Sequence, residues 1–598
     1  MPTLPIIFTT QEDSCFLTNL ETRIKNAKIS NPEYLLKYPI VYIHYWQSQL
    51  ISYTDKNGVC QSYPKYDIYV GESIDVLQRT RKHYDDGRAA ISAKQAWQYD
   101  LVNNTGTPQF IVIGHKHFNK SLTLDIENRL IEYFLAMQTT VRRPINGRGN
   151  PQGDYFPSNE FDTIFSSIWT ALMRQEPKLF ISEAKIKDSA IFKASPLKHL
   201  TTDQTKAKDN IIDKVCQAYN SGKTGQLIFV QGEAGTGKTV LTTSTFYELI
   251  KRGETNVTFP KLNCHLMVNH DQQAKVYEQL VKRLGFDEDC AGKPTKFINN
   301  HSISNKVDVA FIDEGHLLWT QGKQSYRGQN QLQDIIDRAK VTVIMFDEYQ
   351  VLNTEEYWEA ALLDKYKQLS ISQGNYIQLN TQLRMACSQS TMDWINNFVL
   401  NRQVSPFCPD SKYDVKLFDS PMDLHSAIKT ISLAKGSELS RVVATYDWEY
   451  ISAKRPNGKK FWDVKIGDWS MPWNYELEKQ MSVKEKHAIS HLAWAEQPQT
   501  IDEVGSTYTI QGFDLSYVGV ILGPSVKFQN GQVVFAPECS KNEKAKRKRT
   551  LSNNTKASFG DFFIRNEVKV LLTRGVKGLY IYACDPNLRD ALKTIARI

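Results

Sequence analysis

No apolar run in these 598 residues approaches the roughly 18 that a membrane helix needs. The opening stretch, Met1 to Leu17, has no basic start, and Glu12 and Asp13 interrupt its short apolar part, so no secretory leader is expected. There is no Cys-x-x-Cys pair: the nine cysteines (15, 60, 216, 264, 290, 387, 408, 539 and 584) are scattered. That argues against a disulfide framework and a cysteine zinc site, and it fits a reducing, cytoplasmic setting. Internal repeats are absent. A dominant charge sign is absent too: 73 basic against 65 acidic residues leaves +8, which permits a polyanionic partner without demanding one. What remains is ordinary globular material, 41% hydrophobic and 23% charged, long enough for about three to five domain-sized units.

Three textures follow one another. Residues 1–165 mix β-branched and aromatic strands with one charged helical stretch. Residues 166–195 read as a helix and a linker. From 196 onward short apolar strands alternate with helices, the pattern of α/β layers with parallel sheets. Runs 227–231, 307–312 and 341–346 suit strands buried on both faces, and runs 518–522 and 579–583 predict a second α/β unit. The basic run from Lys541 to Arg549, KNEKAKRKR, reads either as a solvated, mobile loop or as a phosphate-contacting element. Trp448, Trp462, Trp469, Trp473 and Trp494 lie among Lys459, Lys460 and Lys465, and read as core or as a base-stacking platform. His265, His270, His301 and His316 lack metal-ligand spacing and read as ordinary histidines.

The strongest signal is GEAGTGKT, residues 232–239, a full G-x-x-x-x-G-K-[ST] between a strand and a helix. Gly232, Gly235 and Gly237 let backbone N–H groups wrap phosphates. Lys238 is expected to reach the β- and γ-phosphates, and Thr239 to hold Mg²⁺. An apolar strand then delivers Asp313 and Glu314 in VDVAFIDEGH, residues 307–316. Asp313 is expected to bind Mg²⁺ and Glu314 to polarise the attacking water.

With these residues the chain from 200 to 598 resembles superfamily 1 helicases and their relatives. LTTDQ (200–204) looks like the Q motif, which implies that Gln204 reads adenine. VIMFDEYQ (343–350) sits where motif III places a γ-phosphate-sensing glutamine, here Gln350, although Asp347-Glu348 stands where Gly-Asp is usual. LNTQLRM (379–385) resembles motif IV and makes Arg384 a candidate arginine finger. Residues 504–522 resemble motif V. VLLTRGVKGLYIY (570–582) resembles motif VI and makes Arg574 a second candidate finger. DEGH at motif II and LLTRG at motif VI are similar to a poorly characterised helicase-like family found in bacteria. The resemblance implies two RecA-like parallel-sheet lobes, 196–390 and 391–598, with ATP between them.

A second constellation lies in residues 1–165. IVYIHYW (40–46) reads as a strand. YDIYVGESIDVLQRTRKHY (66–84) reads as a strand, a turn at Gly71 and a helix on which Arg79 and His83 share a face. TLDIENRLIEYF (123–134) is helical and carries Glu127, and RRPINGRGN (142–150) follows. These elements resemble the GIY-YIG endonuclease domain, a small α+β fold. The first tripeptide is degenerate (Ile40-Val41-Tyr42), the second close (Tyr69-Val70-Gly71), and the long gap at 47–65 reads as a hairpin insertion. The resemblance implies metal-assisted phosphodiester hydrolysis. Glu127 binds one Mg²⁺ or Mn²⁺. Tyr42 acts as base or passes its proton through Tyr69 or His83. Arg79 stabilises the phosphorane, and Asn146 orients the site.

Together these readings predict an ATP-driven nucleic-acid motor with an endonuclease, acting most readily on DNA and suited to defence against phage or foreign DNA. A protein partner or a second copy of the chain is compatible with the sequence. So are a repair or recombination helicase with an inactive nuclease domain, and a nucleotide-switched regulatory ATPase.

Overall fold

The computed structural model describes residues 4–54, 60–89, 96–103, 108–146, 152, 155–322, 326–328, 330–379, 385–434, 439–489, 492–510 and 513–597. The chain divides into two compact units, Met1–His199 with Glu278–Glu288, and Leu200–Tyr277 with Asp289–Ile598.

The first unit is built on a mixed sheet of β1 (Ile6–Gln11), β2 (Ile40–Thr54), β3 (Cys60–Ser73), β4 (Gln109–Gly114) and β5 (Val141–Pro144), in the order β1-β4-β2-β3-β5. Of the expected insertion at 47–65, residues 47–54 and 60–65 form the far end of the long antiparallel β2–β3 pair, and 55–59 lie outside the described residues. Ile40, Val41, Ile43, Val70 and Phe110 to Ile113 are fully buried, as a sheet covered on both faces requires. Its helices include α1 (Val76–Arg88), α2 (Ala96–Asn103), α3 (Lys120–Ala136) and α4 (Phe161–Gln175). Asp75 and Asn119 cap α1 and α3 by accepting from the N–H groups of Gln78 and Leu122. The stretch 166–195, expected as a helix and a linker, is packed rather than free. Trp169, Leu172 and Phe180 are buried, Trp169 lies edge-on to Tyr133, and its indole donates to the Ile181 carbonyl.

The second unit holds two parallel sheets. The first has β6 (Gln226–Gly232), β7 (Cys264–Val268), β8 (Ala291–Gly292), β9 (Val307–Asp313), β10 (Ala339–Phe346) and β11 (Tyr376–Leu379), in the order β11-β6-β10-β9-β7-β8. The second has β12 (Asp414–Leu417), β13 (Arg441–Ala444), β14 (Leu515–Leu522) and β15 (Gly575–Ala583), in the order β12-β15-β14-β13. The five apolar runs singled out in the sequence are β6, β9, β10, β14 and β15. Helix α5 (Thr202–Asn220) opens with a capping box in which Thr201 and Gln204 satisfy each other's N–H groups. Helices α6 (Lys238–Thr255), α7 (Asp271–Arg283, of which the part up to Tyr277 belongs to this unit) and α8 (Gly560–Leu572) carry residues used below.

Two expectations are decided by burial. Trp473 and Trp494 are fully buried, and Trp448, Trp462 and Trp469 pack onto the Trp473 cluster, so the tryptophans are core. The basic run is not a free loop. It contains a helical turn, Glu543–Lys546, and ends on buried Arg549, whose guanidinium donates to the Thr354 carbonyl at 2.8 Å and the Thr320 hydroxyl at 2.9 Å. Tyr357 stacks on Phe559 at 3.9 Å, so this segment of the second sheet's half is fastened to the first.

Candidate functional site

β6 delivers the phosphate loop. Gly235 and Gly237 take φ of +88° and +77°, where a side chain is costly. A Cβ on Gly232 would come 2.6 Å from the Thr236 hydroxyl oxygen. Lys238 opens α6 and is buried. Its ammonium donates to the carbonyls of Gly232 (2.7 Å) and Glu233 (2.8 Å) and pairs with Asp347 at 3.3 Å. Topology explains the pairing: β10 runs between β6 and β9, so the residue after it emerges beside the loop. Burial opposes its charge, but Lys238 and then His316 hold the Asp347 carboxyl below its ordinary value. Gln204, expected at adenine, here braces the loop. Its carbonyl accepts from Thr201 N–H, and its amide donates to the Thr236 carbonyl, both at 3.0 Å.

β9 ends at Asp313, whose Oδ2 accepts from Thr239 at 2.8 Å. Its Oδ1 is buried and makes no hydrogen bond. Burial, then neighbouring Glu314, raises the Asp313 pKa. Glu314 adopts φ +48°, a left-handed conformation that a glutamate holds only when its surroundings impose it. His316, read as ordinary, lies fully buried 3.5 Å from Glu314, and burial lowers its pKa to about 3. An unbonded carboxylate oxygen beside a threonine hydroxyl is a donor set that fits Mg²⁺.

A relay leaves this pocket. Gln350 donates to Asp347 at 2.7 Å, and buried Arg574 donates to Gln350 at 3.1 Å and to the Phe513 carbonyl at 3.4 Å. Lys569 of α8 reaches the loop directly, with Glu233 at 3.0 Å and the Tyr349 ring centroid at 3.7 Å. Lys238, Gln350 and Arg574, expected in one site, are thus joined through Asp347. Arg384 lies outside the described residues.

Residues 225–585 match the Schlafen group 3 DNA/RNA helicase domain. The chain belongs to that family. Among curated proteins it is similar to the uncharacterized protein YPL245W of Saccharomyces cerevisiae, 31% identical over 428 residues, which are 66% of this chain and 90% of the yeast protein. Solved structures give weaker likeness. The Pif1 helicase from Candida albicans is 15% identical with a TM-score of 0.21, over 40% of this chain and 55% of that one. The PRRSV helicase is 11% identical with a TM-score of 0.25, over 62% and 54%. The chain spans about half the length of these two structures.

The Schlafen group 3 match begins at residue 225, so the other candidate site lies outside it. In the first unit, a cleft of about 380 Å³ is lined by Tyr69, Arg79, His83, Glu127 and Asn146 among others. Tyr42 is fully buried behind that wall. It faces Gly71 directly across β2 and β3, and a Cβ there would fall 2.4 Å from the Tyr42 hydroxyl oxygen. The glycine of Tyr69-Val70-Gly71 therefore makes room for the tyrosine of the other tripeptide. The Tyr42 hydroxyl meets His83 Nε2 at 2.8 Å and accepts from Arg79 Nε at 3.4 Å. Burial, then His44, Arg79 and Lys82, lowers the His83 pKa to about 2, so the ring that meets the Tyr42 hydroxyl is neutral. Burial and then Tyr69 raise the Tyr42 pKa well above its ordinary value. Asn146 joins β3 through both the N–H and the carbonyl of Val70, and its amide lies 3.4 Å from Glu127. One carboxylate with an adjacent amide fits a single divalent ion completed by water and phosphate oxygens. The structure thus brings Tyr69, Arg79, His83, Glu127 and Asn146 to one cleft, with Tyr42 one layer behind.

Proposed function

We propose that this helicase-domain protein is an ATP-driven nucleic-acid motor acting on DNA, joined to a metal-dependent endonuclease. The domains we assign are a nuclease core in 1–165, a connector in 166–195, and ATPase lobes in 196–390 and 391–598. The relay Lys238–Asp347–Gln350–Arg574 carries the motor reading, because it ties the phosphate loop of one sheet to the arginine of the other. ATP phosphate takes the place of Asp347 and the loop carbonyls as partner of Lys238. Arg574, released from Gln350, neutralises γ-phosphate charge, and Glu314 orients the attacking water. Mg²⁺, held by Thr239 and Asp313, supplies further positive charge to the phosphate oxygens.

In the nuclease, Arg79 balances charge on the scissile phosphate. The buried position of Tyr42 favours a proton path through the cleft wall, from the attacking water by way of Tyr69 or His83; burial disfavours a charged His83, so the ring relays the proton toward the leaving oxygen and does not keep it. The divalent ion, held by Glu127, supplies Lewis-acid charge at the phosphate. Cutting where a motor brings DNA suits restriction of foreign or phage DNA.

Plasmid cleavage with Mg²⁺, with and without ATP, tests the reading in wild type, Glu127→Ala and Lys238→Ala. Cleavage disappears in Glu127→Ala and changes in Lys238→Ala. Absence of cutting in every condition, with DNA-stimulated ATP hydrolysis intact, removes the nuclease and leaves the motor. A second reading, a nucleotide-switched regulatory ATPase, is favoured by the Arg549 and Lys569 contacts that tie the half of the second sheet to the half of the first. ATP hydrolysis indifferent to DNA would select it.

A further inference from the structure

Three donors converge on a single oxygen of Asp313. Thr239 donates to Oδ2 at 2.8 Å, Gln273 Nε2 at 3.1 Å, and the Tyr277 hydroxyl donates to the same atom. Gln273 uses its second amide hydrogen on the Tyr277 oxygen at 2.9 Å. Gln273 and Tyr277 stand four residues apart on α7, so one helix face carries both. Tyr277 is fully buried. Each hydrogen in this cluster has one acceptor, and the arrangement leaves Asp313 Oδ1 as the buried atom without a hydrogen bond.

We propose that Tyr277, supported by Gln273, is a positioning residue of the Mg²⁺ site. A carboxylate whose Oδ2 is held by three donors cannot rotate freely, so Oδ1 remains available as a metal ligand. Without the phenol, Oδ2 competes for the ion and the carboxylate turns. Partners that orient a metal-binding carboxylate usually affect affinity by about 10- to 100-fold when removed. The inference rests on the ATPase reading and names residues that no part of the phosphate-loop pattern includes.

The test is Mn²⁺ binding by electron paramagnetic resonance on the full chain with ADP, together with ATP affinity in the absence of divalent ion. Tyr277→Phe keeps the ring and removes one oxygen. It is expected to weaken Mn²⁺ binding about tenfold or more while metal-free nucleotide affinity stays within about twofold of wild type. Gln273→Ala, at a half-buried position, is the second variant if Tyr277→Phe does not fold, and should show a smaller shift in the same direction. Mn²⁺ affinity unchanged in the variants overturns the inference while the wild-type ATPase stands. A wild type that neither binds ADP with Mn²⁺ nor hydrolyses ATP overturns the ATPase reading and this inference with it.

Discussion

The phosphate-loop site and the N-terminal cleft treat their key cation in opposite ways. Lys238 is buried and already neutralised by two carbonyls and Asp347, so a phosphate must displace an internal anion. Arg79 lines an open cleft and spends one N–H on the Tyr42 oxygen, a neutral acceptor, at 3.4 Å. The first arrangement couples binding to rearrangement, because moving Asp347 disturbs Gln350 and through it Arg574. The second needs no rearrangement to admit a phosphodiester. A switch-like site suits the proposed motor, and a standing site suits the proposed nuclease.

Arg574→Lys makes the largest expected break in this comparison. Lysine cannot span Gln350 and the Phe513 carbonyl as a planar fork does. Single-turnover hydrolysis at saturating ATP should fall about 10³-fold or more, the loss typical of an arginine finger, with nucleotide affinity little changed. A drop of less than about tenfold would mean that Arg574 only braces the resting state, and the contrast with Arg79 would lose its basis.

Glu567 comes next. It is a buried carboxyl of α8 that accepts from Tyr446 N–H at 3.1 Å and Thr507 at 3.4 Å, and burial, then Asp447, pushes its pKa up to about 8. An unfolded glutamate ionises near 4.5. Between these values the folded chain holds a proton that the unfolded chain has lost, so stability falls as pH rises from about 4.5 to about 8. At 1.36 kcal/mol per unit the whole span is on the order of 3 to 5 kcal/mol. Glu567→Gln keeps both acceptor bonds and should melt close to wild type at pH 5 but above it at pH 8.5, in thermal scans at both pH values. Equal melting at pH 8.5 would place the carboxyl's ionisation below that range.

Legibility followed how concentrated each site is in sequence. Eight contiguous residues specify the phosphate loop, because strand, turn and helix N-terminus are one local structure. Asp347 is visible in the sequence without a role. It stood out as a departure from Gly-Asp, while its position directly after a central strand is what sets it beside Lys238. Gln273 and Tyr277 carried no signal, since an amide and a phenol on a polar helix have many uses and their acceptor lies 36 residues beyond Tyr277. The basic run misled because charge counts say nothing of the one arginine that is buried. In the N-terminal unit the order of residues located the cleft, yet spacing could not tell that Tyr42 sits one layer behind it.

Gly71→Ala gives the smallest expected effect on stability and the sharpest separation of the two sites. The added Cβ would fall 2.4 Å from the Tyr42 hydroxyl oxygen and 2.5 Å from the ring carbon that bears it. Tyr42 is fully buried, so its ring must shift toward neighbours that are themselves packed, at a cost of about 1–3 kcal/mol. The shift takes the hydroxyl away from His83 Nε2, now 2.8 Å distant, and from Arg79. Plasmid cutting should drop at least as far as in a Tyr42→Phe variant, while ATP hydrolysis stays at the wild-type rate. Were cutting to survive Gly71→Ala and Tyr42→Phe alike, the tyrosine would be packing alone, and the proton path would run through Tyr69 or His83 without it.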